Sequence, residues 1–381
     1  MDNASAKELL KRYKDGKCTP EELAWLESWY LSLNSDAEPL DADLLETATR
    51  RLEERLLETT SRKQTSKNRS WLRYAAAAVL VISGGLFFLI KEKGNGGYEP
   101  VQAVILPGGN KATLARDDGL SVELSAHKAG IVVGDEITYE DGTSILAAQP
   151  EVVNYVLSTP NGGTYQITLP DGTQVWLNAA SALKYPSTFA ENERLVELEG
   201  EAFFDVTKKK GKAGRLKPFK ILTKGQLVEV LGTQLNISAY ANEAAIKTTL
   251  VEGEVKVFQQ NEENDPNGFG QHVLLRPGEQ SVIAGHSIKK TSVDVTPYVS
   301  WKDGTFYFDN ADPRMALNQI SRWYDIELVY EGKIPSMRFY GVMGRDKNLD
   351  AVLAILKESG LEFKLRQEGE KHILVVYNEI K

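Results

Sequence analysis

"YVLSTPNGGTYQITLPDGTQVWL", residues 155–177, is the stretch on which the fold turns. Strand-like runs with a period of two flank Pro-Asn-Gly-Gly and then Pro-Asp-Gly, as expected of strands that bury one face. Asp-Gly suits a tight hairpin turn because glycine accepts a positive φ. The same order, a Pro, a Gly pair, Thr-Leu, Asp-Gly and then Val-x-Leu, recurs loosely over residues 101–124, which predicts repeated hairpins. "DGT" occurs at Asp141, Asp171 and Asp303, each between strand-like runs, so these aspartates read as turn chemistry and not as catalytic groups.

Working outward, short strand-like runs and turn signals continue to about residue 290 without a helical pattern. The class expected for residues 98–295 is therefore an all-β sandwich or a short solenoid. Two polar insertions, "KKKGKAGRLK" (208–217) and "QQNEENDPNG" (259–268), read as hairpin tips. Near residue 300 the pattern changes. "GTFYFDN" is a strand, and Asp312 with Pro313 opens a helix carrying Ala316, Leu317, Ile320 and Trp323. "DIELVYEG" and "RFYGVM" are strands, Asn348 opens a second helix that Gly360 closes, and "LEFKLR" and "HILVVY" finish the chain. Ala316 to Ala351, Ile320 to Ile355 and Glu327 to Glu362 are each a shift of 35 residues. Residues 300–381 are thus expected to be two tandem β-α-β units, a small α+β domain.

Upstream, residues 74–90 hold no charge, and Trp71 and Leu72 extend the run to a length that just crosses a bilayer core. We expect a transmembrane helix over residues 72–91. Arg62, Lys63, Lys67, Arg69 and Arg73 precede it, and fewer basic residues follow, which puts the N-terminus in the cytoplasm. A signal peptide would begin near residue 1 and end in small residues; this run ends in Phe87, Phe88, Leu89 and Ile90. Residues 61–73 are a basic juxtamembrane linker that suits anionic lipid. The expected location is therefore the inner membrane, crossed once, with the C-terminal region periplasmic.

Residues 1–60 read as three short helices. The second opens on a capping box, with Thr19, Pro20 and Glu22 in order, and its stripe includes Leu23, Leu26 and Tyr30, widened by Trp25 and Trp29. Three such helices make a marginal core. The unit is either a self-contained bundle or one completed by a partner through Leu23, Trp25, Leu26, Trp29 and Tyr30. It carries 14 Asp+Glu against 8 Lys+Arg, which suits a basic helical protein better than nucleic acid.

Composition narrows the chemistry. The net charge of -8 speaks against the chain as a whole binding nucleic acid directly. Cys18 is alone, and His127, His272, His286 and His372 are scattered, so neither an internal disulfide nor a zinc-ligand spacing exists. No GxSxG, HExxH, P-loop or GxGxxG is present. We expect no enzyme, no cofactor and no metal.

Several blocks in order then resemble one family. "LPDGTQVWLNAASALKYPSTF" (169–189), "VELEGEAFFDV" (196–206), "PFKI" (218–221), "VLGTQLNISAY" (230–240), "TLVEGEVKV" (249–257) and "LRPGEQ" (275–280) are similar to the central periplasmic domain of the FecR-type anti-sigma family. "WKDGTFYF" and "ISRWYDIELVYEG" resemble the C-terminal domain of its Bacteroidota members. The resemblance implies a regulator in cell-surface signalling. Its partners would be an extracytoplasmic-function sigma factor at residues 1–60 and the signalling domain of a TonB-dependent outer-membrane transporter at the C-terminal domain. It also implies processing. Gly232-Thr233 matches a pair at which some relatives cleave themselves by an N-to-O acyl shift, although a plain strand or turn position is the ordinary reading of the same pair. Site-specific proteases are a second implied route, and Gly84-Gly85 inside the span could loosen that helix for one. The rival reading from the residues alone is a membrane-anchored cell-envelope protein that binds glycans.

Overall fold

In a computed structural model, residues 105–377 are described, except 148, 212–213, 261–268 and 333–336. All belong to one compact unit, Tyr98–Lys381. The expected helices of residues 1–60, the basic linker and the span at 72–91 lie outside the described residues. Among the described residues, no helix is long and apolar enough to cross a membrane.

The strand expectation for residues 105–292 holds, with nineteen short strands and no helix among the described residues there. They form two layers. One contains Thr113–Arg116, Asn154–Thr159, Ser181–Pro186, Phe219–Thr223, Gln226–Val230 and Val255–Gln260. The other contains Gly163–Thr168, Gln174–Leu177, Gln234–Ala239, Ile246–Glu252 and Glu279–Ala284. The long strand Arg194–Asp205 belongs to both. Its first half pairs with Ser181–Pro186 and Phe219–Thr223, and from Gly200 onward it pairs with Gln174–Leu177 and Gln234–Ala239. Successive hairpins fall on alternating layers, so the domain is a sandwich with a solenoid-like chain path.

Alternation sets the core. Tyr155, Leu157, Leu183, Tyr185, Val196 and Leu198 point inward from the first layer to meet Tyr165, Ile167, Val175, Leu177 and Leu235 from the second. Each such side chain contributes about 1.5–3 kcal/mol by leaving water. The "DGT" sites at Asp141 and Asp171 are turns, as read from the sequence, with each carboxylate accepting from the amide two residues on, Thr143 or Thr173. At Asp303 the same triplet closes a 3₁₀ turn, Ser300–Asp303. Asp171 does more than turn the chain: it pairs at 2.7 Å with Arg194, whose side chain is 1% exposed. The hairpin of residues 113–123 repeats that of 163–177 in the opposite layer, and the short strand Gly109–Asn110 before it pairs in parallel with Gly163–Thr164.

The C-terminal part follows the expected order. Strand Thr305–Ala311, helix Pro313–Tyr324 and strand Ile326–Glu331 come first, and strand Phe339–Gly344, helix Leu349–Glu358 and strand Glu362–Glu368 follow. The pairing differs from two closed β-α-β units: Thr305–Ala311 and Phe339–Gly344 pair antiparallel with each other in a sheet of their own, apart from the strands that follow the helices. A last strand, Lys371–Tyr377, pairs with both Ile326–Glu331 and Glu362–Glu368. Asp312 caps the first helix by accepting from Arg314 N at 2.9 Å. The apolar faces of both helices, through Leu317, Ile320, Val352 and Leu356, pack with Phe306, Phe308 and Leu374 into a second core. A short helical connector, Thr296–Val299 and Ser300–Asp303, joins the two cores.

Candidate functional site

The strand Arg194–Asp205 shows where to look. Its first half alternates buried and exposed residues, while Glu201, Ala202, Phe203 and Phe204 are all buried. An outward face that is buried must be covered, and what covers it is the connector and the C-terminal core.

At the centre is Glu201, 9% exposed. Among the described residues, no guanidinium touches it. Instead, its Oε2 accepts from Asn178 Nδ2 at 2.7 Å and its Oε1 from Asn236 Nδ2 at 2.9 Å. Each amide then hands its own oxygen across the seam. Asn178 Oδ1 accepts from Arg345 Nη1 at 3.0 Å, and Asn236 Oδ1 accepts from Trp301 Nε1 at 3.1 Å. The local backbone supports Asn178: Ala180 holds φ 55, a region that L residues seldom enter, and Tyr240 Oη donates to Ala179 O at 2.8 Å.

Two arginines of the C-terminal part complete the seam. Arg345 lies 4.8 Å from the Phe306 ring centre and 4.7 Å from that of Trp323. Arg322 lies 3.6 Å from the centre of the Tyr240 ring and ion-pairs with Glu243. Two carboxylates and two guanidiniums thus balance in one buried cluster. Burial pushes the Glu201 carboxyl above its ordinary range, while Asn236, Asn178 and the Arg322 charge act the other way. Burial lowers Arg345 to about 10, which leaves it charged at neutral pH.

The glycine pairs noted in the sequence meet at the same seam. Gly162 N donates to Arg322 O at 2.7 Å, and Gly109 N donates to Gly162 O at 2.9 Å. A β-carbon on Gly108 would lie 2.5 Å from Gly162 O and 2.8 Å from the Trp323 ring. Gly162 also holds φ 66. The backbones approach this closely because neither residue carries a side chain.

Chemically, the cluster holds two bodies in one orientation. It presents no nucleophile with an adjacent base. The other sequence candidate, Gly232-Thr233, lies elsewhere, in the bend between strands Gln226–Val230 and Gln234–Ala239. Thr233 is buried and its hydroxyl donates to Glu254 O at 3.1 Å. A β-carbon on Gly253 would come 2.8 Å from that hydroxyl and 3.0 Å from Gly232 O, so the bond is tightly covered. Leu23, Trp25, Leu26, Trp29 and Tyr30 lie outside the described residues. Sequence reasoning did not single out Glu201, Asn178, Asn236, Arg322 or Arg345. The available signal was the acidic residue within "GEAFF", where strict alternation breaks down.

Comparison with known proteins places these parts. The family model described as FecR protein matches residues 155–256, and the model described as FecR, C-terminal, matches residues 305–374. Two crystal structures of a candidate anti-sigma factor from Parabacteroides distasonis ATCC 8503 are similar. One, at 2.50 Å resolution, is 31% identical over 59% of this chain and 99% of its own, with a TM-score of 0.49. The other, at 1.65 Å, is 32% identical over 57% of this chain and 97% of its own, also with a TM-score of 0.49. No curated protein matches.

Proposed function

This chain belongs to the FecR family and is a sigma-factor regulator, and from that premise we propose that it relays a signal across the inner membrane. In this reading it crosses the membrane once at residues 72–91, with the N-terminus cytoplasmic. Residues 1–60 bind an extracytoplasmic-function sigma factor through Leu23, Trp25, Leu26, Trp29 and Tyr30. The C-terminal domain receives the signalling domain of a TonB-dependent outer-membrane transporter. The observation that carries the relay is the seam. The domain that would meet the transporter is joined to the FecR domain through Arg345–Asn178–Glu201 and Trp301–Asn236–Glu201. A displacement of one therefore moves the other, and in chain order the FecR domain follows the proposed span.

Two experiments test this. The fragment of residues 1–70 should capture a sigma factor from lysate of the native host; failure to do so, with target transcription unchanged when that fragment is deleted, overturns the sigma-binding assignment. Periplasmic cross-linking should recover the transporter with the full chain and lose it when residues 300–381 are removed.

We also propose self-cleavage at Gly232-Thr233. The Thr233 hydroxyl would attack the Gly232 carbonyl carbon, replacing the C–N bond by an ester and freeing the amine, and water would then open the ester. The two pieces would stay together, because strands on both sides of the bond are built into the shared core. Thr233→Ala should leave the chain as a single band on a denaturing gel. A wild-type chain that never yields fragments refutes the cleavage.

A further inference from the structure

On the outer face of the second layer, beside the connector, lies a cleft of about 190 Å³. Asn110, Thr164, Gln166, Trp176, Trp301 and Lys302 form most of its wall. The strand register explains why they meet. Gln166 sits opposite Trp176, and Trp176 opposite Phe203, in one cross-strand row, and the connector lays Trp301 and Lys302 at its end. Phe203 braces Trp176, with ring centres 5.7 Å apart and planes at 66°.

The wall holds free hydrogen-bonding capacity next to an indole. Among the described residues, the side chains of Gln166 and Thr164 have no hydrogen-bond partner, and both are half-buried. Asn110 donates through Nδ2 to Lys128 O at 3.2 Å, which leaves its Oδ1 as an acceptor. Amide, hydroxyl and indole together form the apolar body with a few convergent polar groups that marks small-molecule sites. The cleft is smaller than the roughly 300–1,000 Å³ of pockets for drug-sized ligands, so it takes one ring and not an extended chain. Among the described residues Lys302 is the only charged one in the lining, and it is already paired with Asp303 at 2.6 Å, which argues against an anion as the occupant. Lys302 still has ammonium donors to offer a hydroxyl. A ring that stacks apolar C–H groups on an indole while its hydroxyls meet amides and hydroxyls is a neutral sugar.

We propose that this cleft binds the ring of a neutral hexose. Trp176 supplies the platform, and Gln166, Thr164 and Asn110 supply the hydrogen bonds. Trp301 connects the site to the seam, since the same indole donates to Asn236. The inference does not depend on the sigma-factor reading, because residues 1–70 take no part in it.

The test is saturation-transfer NMR on the full chain in a sugar-free detergent, with D-glucose, D-galactose and D-mannose as probes and D-glucuronate as the charged comparison. At least one neutral hexose should bind saturably, with Kd in about the millimolar range. Gln166→Ala and Trp176→Ala should each weaken it at least about tenfold, a loss equal to one or two hydrogen bonds or one ring contact. Gln166→Ala changes a half-exposed side chain outside the core, so its circular dichroism should match wild type. Three results would overturn the proposal: no saturable signal from any of the three sugars, binding that neither variant changes, or tighter binding of D-glucuronate than of all three.

Discussion

Glu201 shows how much one side chain can decide. Both of its oxygens accept from amides whose own oxygens are committed to Arg345 and Trp301. Neither Asn178 nor Asn236 can flip without losing the far partner. Glu201→Gln would therefore set an NH₂ against an NH₂, and the buried mismatch should cost about 1–3 kcal/mol in chemical or thermal unfolding. Protonation gives a separate signature. Since burial raises the folded-state pKa above the ordinary 4.5, the folded chain holds this proton more tightly than the unfolded chain. The contribution of Glu201 to stability is thus fully present below 4.5 and falls as pH rises from there through the raised value. Melting curves across that window should slope less in Glu201→Gln than in wild type. Equal slopes would show that the carboxyl does not titrate differently in the fold. None of this was legible in the residues one at a time. Glu201 was visible only as a member of a block, because nothing in a strand's own sequence tells which distant element covers its outer face.

Elements were more legible than their contacts. The helices Pro313–Tyr324 and Leu349–Glu358 begin where Asp312 and Asn348 announce them; Asp312 makes a side-chain cap bond and Asn348 does not, so at the second helix the periodicity alone carries the signal, and both are local physics. The hairpins over residues 113–123 and 163–177 follow from Asp-Gly for the same reason. The choice between sandwich and solenoid could not be read, since it depends on which layer each hairpin joins, and that is set by long-range pairing of the strand Arg194–Asp205. The paired glycines are an intermediate case. The repeat was visible, but its purpose, letting two turns pack beneath Trp323, was not. Gly108→Ala would drive a β-carbon into Gly162 O and should destabilise the fold by about 1–3 kcal/mol. Gly162→Ala should cost about 1–2 kcal/mol from its left-handed backbone alone. Thermal denaturation of each variant checks both, and a Gly108→Ala protein as stable as wild type would mean that the seam opens at little cost.

At the scale of the molecule, two hydrophobic cores are joined by a polar seam, and that choice has a consequence for cooperativity. A seam of ordinary apolar contacts could slide. One built from directional hydrogen bonds to buried groups is either complete or broken, since breaking a single partner leaves charge without compensation at about 3–5 kcal/mol. The two cores should therefore unfold together. Calorimetry of the wild-type chain should show one transition for the unit spanning residues 105–377. In Arg322→Ala with Arg345→Ala, Glu201 and Glu243 lose both cations that face them across the seam. The α+β core should then melt at lower temperature than the sandwich, as a separate peak. The same double variant bears on signalling. If the seam is the coupling element, residues 1–70 of this variant still bind their sigma factor, while the transcriptional response to an outer-membrane stimulus is lost. A variant that melts in two steps yet signals normally would place the relay in the connector Thr296–Asp303 and not in the charged cluster.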